Sequence, residues 1–138
     1  ISATANEADY IAAAAAFERV MPAQGPQAYE TALAAWPRNL FGRLALGNAA
    51  YRQRQLEQAQ GHYRQATRDH PDAADAWNNL AQVLFEEGRA SDALDAARLA
   101  VAIGGPRAAT YAATLGRIEA GTPPTGQALP GQVPQNVR

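Results

Sequence analysis

The sequence predicts an all-α protein made of three consecutive helix hairpins. Alanine supplies 34 of the 138 residues, and alanine is the strongest helix former. Sliding the chain against itself by 34 residues brings like residues into register, without a gap, over positions 6–107. Within each unit, apolar residues recur at steps of three and four rather than in alternation, as buried helical faces require.

Composition excludes several classes of chemistry. All 12 basic residues are arginine, cysteine is absent, and 13 acidic residues leave a net charge of −1. Without cysteine there is no disulfide framework, thiolate nucleophile or cysteine-ligated metal. The near-neutral balance argues against nucleic-acid binding by charge alone. No apolar run approaches the ~20 residues of a membrane span. Ile1 in place of a start methionine, with no leader pattern behind it, reads as a mature or excised fragment.

The repeat gives units of about 6–39, 40–73 and 74–107. Pro37 aligns with Pro71, Phe17 with Tyr51 and Phe85, Tyr29 with Tyr63, and Ala32 with Ala66 and Ala100. The first unit opens with a helix over 9–20. Its turn, Val20-Met21-Pro22-Ala23-Gln24-Gly25-Pro26, should shorten one or both of its helices. The second unit opens with a helix over 41–54, and Pro71 ends its second helix. In the third, the helix over 74–87 carries Trp77, Leu80, Ala81, Leu84 and Phe85 and stops at Gly88. A second helix over 91–103 lines one side with Ala93, Ala96, Ala97 and Ala100, and Gly104-Gly105-Pro106 ends it. A last helix over 108–120 places Tyr111, Leu115 and Ile118 on one face. From 121 to 138, four prolines, three glycines and little apolar surface predict a flexible tail.

Small residues in this pattern have a physical cause. Antiparallel helices approach closely only where a side chain is small, and Gly47 with Ala59, then Ala81 with Ala93, are the expected pairs. Leu46, Tyr63, Trp77 and Leu80 fill the space between hairpins. A lone hairpin cannot bury its own apolar face, so the units must stack.

The series Leu46-Gly47, Tyr51, Ala59, Tyr63, Ala66, Pro71 and the series Trp77, Leu80-Ala81, Ala93, Ala100 resemble the tetratricopeptide repeat, a 34-residue helix–turn–helix unit. The first unit resembles a degenerate copy. The resemblance implies a repeat domain over 1–120, a superhelical array closed by a capping helix over 108–120. It also implies a concave groove lined by the first helix of each unit, with a protein or peptide as its ligand. Columns at 34-residue spacing then name the groove residues: Tyr10 with Asn78, Asn48 with Gln82, Phe17 with Tyr51 and Phe85, and Arg52 with Glu86. Aromatic side chains offer area at little entropic cost, and amides bond a peptide backbone without reading its side chains.

Chaperone-binding members of this family clamp a C-terminal carboxylate with two asparagines and several cations. Asn48 and Asn79 fall at the asparagine positions, but Leu44, Ala109 and Ala113 stand where cations are needed. Such a clamp is not expected, because a carboxylate without cations is poorly held. His62 and His70 are eight residues apart, too far for a helical metal pair. No nucleophile–base set, phosphate loop, metal site or cofactor site is expected, and the reading is non-enzymatic. A looser resemblance joins residues 28–37, 77–84 and 100–106 to the C-terminal repeats of bacterial proteins carrying an N-terminal domain similar to double-glycine cysteine peptidases. That resemblance implies an exported accessory or self-association segment, with the catalytic residues elsewhere.

Overall fold

A computed structural model describes residues 6–121. The tail expected over 121–138 lies, beyond Gly121, outside the described residues. Seven α-helices occur among the described residues: α1 Glu7–Val20, α2 Gly25–Ala35, α3 Leu40–Arg52, α4 Leu56–Asp69, α5 Ala74–Glu86, α6 Ala90–Ile103 and α7 Ala108–Glu119. A short 3₁₀ turn, Pro22–Gln24, precedes α2. Helices α3 and α5 begin 34 residues apart (40 and 74), as do α4 and α6 (56 and 90). The chain groups into two compact units that divide between Pro71 and Asp72.

The first unit holds α1 to α4. Asn6 caps α1 by accepting the Asp9 amide at 2.8 Å, and Asn39 caps α3 by accepting the Gly42 amide at 2.8 Å. Each side-chain oxygen satisfies an amide that the first helical turn leaves without an intrahelical partner. Asn39 also donates through Nδ2 to Glu7, tying the starts of α1 and α3 together. The core joins Ile11, Ala14, Tyr29, Ala32, Leu33 and Leu46, so the two hairpins of this unit share one apolar centre. As expected from its prolines, α2 is short. It spans 11 residues against 14 in α4, and the 3₁₀ turn stands where α4 has its first turn.

A Cβ on Gly47 would overlap the Tyr63 ring, and Ala59 on α4 is fully buried. The glycine therefore makes room for an aromatic ring of α4 as well. Arg54, at φ 60, makes the turn from α3 to α4. Thirty-four residues on, Gly88 makes the equivalent turn at φ 81.

The second unit holds α5 to α7. Ala93, Ala96, Ala97 and Ala100 are buried along one side of α6, and Ala81 is fully buried on α5. Without large side chains between them, α5 and α6 pack closely, as the sequence predicts. Helix α7 packs on both α5 and α6. It buries Tyr111, Thr114 and Ile118, whereas Leu115 is only half-buried. The expected face is therefore rotated toward Thr114. Its hydroxyl can be buried because it donates to the Thr110 carbonyl one turn back.

Candidate functional site

The expected groove residues sit on α1 and α3 in the first unit and on α5 in the second, and the two sets are best considered separately. On α1, Phe17 is exposed at 41%. Val20 and Met21, which follow it, are exposed too, giving this end of the hairpin an apolar surface. Tyr10 differs from the expectation. It is half-buried with its ring 5.7 Å from Trp36, at the margin of the core. Its register on α1 lies beside Ile11 and Ala14, which face inward.

On α3, Arg52 is exposed and pairs with Glu18 of α1 at 3.6 Å. This solvent-facing pair contributes little stability, but it joins the two helices at the candidate surface. Tyr51 is half-buried, with the Arg54 guanidinium 5.4 Å from its ring centre. Asn48 accepts a hydrogen bond from the Tyr63 hydroxyl at 2.6 Å. Its carbonyl is therefore committed to holding α3 against α4, a role the column pattern did not suggest. Burial pushes the Tyr63 hydroxyl pKa well above its ordinary value, which keeps it a donor.

Tyr29, at the same repeat position as Tyr63, does the same on the first hairpin. Burial first, and then the adjacent Glu18 carboxylate, push its pKa up to about 12. Two buried tyrosines thus reach through from the second helices to orient polar groups, Glu18 and Asn48, on the first helices. This is visible in the sequence only as the Tyr29/Tyr63 coincidence.

On α5 the structure corrects two expected groove residues. Asn78 and Glu86 are buried, 5% and 7% exposed. Helix α5 is buried around most of its circumference, at Ala74, Ala76, Leu80, Ala81, Val83 and Leu84 as well. A helix enclosed on so many sides leaves less open face than one column pattern assigns to it. Gln82 and Phe85 are half-buried. At the start of α5, Asp75 accepts from Arg107 at 3.0 Å and from the Tyr111 hydroxyl at 2.5 Å. Desolvation, then that carboxylate, push the Tyr111 pKa up to about 12. These contacts fasten α7 to α5.

The histidines have separate surroundings. A ring nitrogen of His70 lies 2.5 Å from the Arg38 carbonyl oxygen, tying the end of α4 to the loop after α2. His62 lines a pocket that sequence reasoning did not find, since its lining comes from three helices and a turn.

Stacked hairpins of fixed period, small residues at the crossing points and an absence of strands among the described residues define a helical-repeat protein. Residues 44–113 match the tetratricopeptide repeat family model, and the chain belongs to that family. Among curated proteins it is similar to Stress-induced-phosphoprotein 1 of Caenorhabditis elegans, 38% identical over 66 residues. The match covers 48% of this chain and 21% of that protein, so the chain spans about a fifth of its relative's length. Tetratricopeptide repeats generally mediate protein–protein interactions, consistent with a non-catalytic scaffold.

Proposed function

We propose that this chain is a non-catalytic binding scaffold that captures a protein segment or peptide on the faces of its first helices. In the first unit the face is built around Phe17, Tyr51 and Arg52, with Asn48 behind them. In the second it is built around Gln82 and Phe85. The observation that carries the reading is the exposed Phe17, beside the Glu18–Arg52 pair, on α1 and α3. A large aromatic held in solvent offers contact area to a partner. The charged pair supplies polar recognition at its edge. The repeat domain proposed over 1–120 would present both faces.

Peptides selected from a displayed random library against the chain provide the test. Phe17→Ala with Arg52→Ala should weaken a selected peptide about tenfold or more, as loss of an aromatic anchor does. Gln82→Ala examines the second face separately. All three positions are at least partly exposed, so melting should be preserved. Unchanged peptide affinity in both variants removes the assignment.

A second reading is an accessory or self-association segment of a larger bacterial, exported, peptidase-like protein. It rests on the resemblance carried by residues 28–37, 77–84 and 100–106. Concentration-dependent mass in sedimentation supports the self-association form of that reading, and a monomer at high concentration removes it.

A further inference from the structure

Helix α1 leaves bare a side that its repeat counterparts bury. Ala12, Ala13 and Ala16 stand one period before Leu46, Gly47 and Ala50, and two periods before Leu80, Ala81 and Leu84. All of those counterparts are buried, whereas the three alanines are exposed. The cause lies in the shortened α2. Tyr63 on α4 reaches Asn48, but its counterpart Tyr29 reaches Glu18. Glu18 is one turn beyond Ala14, the counterpart of Asn48. Gly25 also sits against Glu18, since a Cβ there would overlap that side chain. Helix α1 therefore turns Ile11 and Ala14 into the core with Tyr29, Ala32 and Leu33, and its alanine side outward.

That bare side is more than small residues. Val20, 77% exposed, stands on it, with Phe17 and Met21 at its border. At about 100° per residue, Asp9, Ala12, Ala16, Arg19 and Val20 share it, opposite Ile11 and Ala14. Its charges are ordered, with the exposed Asp9 carboxylate near the start of the helix and the exposed Arg19 guanidinium near its end. A strip ordered in this way is complementary to itself when reversed. With a twofold axis level with Ala14, two antiparallel copies set Asp9 against Arg19 of the other copy at both ends. Between those ends Ala12 faces Ala16, and Val20 lies over Ala8, large against small. A parallel copy would set Asp9 against Asp9, so the charges select the antiparallel arrangement.

We infer that the outward side of α1 is a self-association surface, occupied by α1 of a second copy of this chain packed antiparallel about a twofold axis. This assigns a surface to the self-association form of the second reading above and rests on that reading. It uses none of the groove residues on α3 or α5. A helix of 14 residues is about 21 Å long, and one such pair buries less than the ~1,200 Å² of a stable complex. The dimer is therefore weak, with a Kd on the order of 10⁻⁴ M.

Sedimentation equilibrium of the full chain, from micromolar to millimolar concentration, is the test. The mass should approach twice that of the monomer at the upper end. Ala16→Glu places a carboxylate where the helices cross and should weaken the dimer about tenfold or more. The melting temperature should hold, since Ala16 is exposed. Asp9→Arg sets arginine against arginine at both ends, and Arg19→Asp sets aspartate against aspartate. Each should weaken self-association about tenfold. An equimolar mixture of these two variants restores opposite charges at both ends and should associate as tightly as the parent chain. A chain that stays monomeric throughout overturns the inference together with the self-association reading. Association unchanged by Ala16→Glu, or a mixture no tighter than its separate components, overturns the α1 surface and leaves that reading standing.

Discussion

A Cβ on Gly47 would overlap the Tyr63 ring, and that ring also carries the hydroxyl that holds Asn48. One missing methyl group therefore sets both the spacing of α3 and α4 and the position of a polar group on the candidate face. Gly47→Ala should cost about 1–3 kcal/mol of stability through overpacking, read as a lower urea midpoint at unchanged slope. Gly88 differs: nothing lies within 4 Å of a Cβ there, but its φ is 81. Gly88→Ala should cost about 1 kcal/mol through backbone strain alone, in the same urea assay. His62 supplies a pH dependence. Its folded pKa lies below the ordinary 6.5, chiefly through burial. Below about pH 6.5 the unfolded chain takes up a proton that the folded chain resists. Stability is therefore fully present above that pH and falls as the pH drops through the window below it. Melting temperatures followed from about one unit above the ordinary histidine value to about one and a half units below it should fall less in His62→Gln than in the parent chain. Parallel curves would contradict this origin.

At the scale of the elements, the helices were legible because the period of 34 is enforced by contact. Ala32, Ala66 and Ala100 are all buried at 1% exposure or less, and no larger residue fits where helices cross. The short α2 was legible from Pro22 and Pro26. The orientation of single faces was less so. Leu115 matches an apolar pattern better than Thr114, yet Thr114 is the buried residue because its hydroxyl bonds back to its own helix. Asn78 and Glu86 were misplaced because the column pattern treats α1, α3 and α5 alike. In fact α5 is enclosed at eight positions, whereas α1 buries only Ile11 and Ala14. The pocket beside His62 gave no sequence signal, since isolated glutamines on a polar helix are ordinary solvent-facing residues. Among the caps, Asn39 joins two elements. Asn39→Ala should cost about 1 kcal/mol from the lost cap, seen as faster amide exchange in the first turn of α3.

For the whole molecule, two compact units present first-helix faces of different character. That of the first unit is the more exposed, with Phe17, Val20 and Met21 in solvent. That of the second is half-buried around Gln82 and Phe85. Membership of the tetratricopeptide repeat family is consistent with a protein partner, and on the proposed reading the more exposed face, on α1 and α3, would carry the larger share of affinity. The most direct measurement is an NMR map of a library-selected peptide on the isotope-labelled chain. The account predicts saturable shifts centred on Phe17, Tyr51 and Arg52, with smaller ones at Gln82 and Phe85. Saturable shifts confined to α2, α4 or α6 would contradict it.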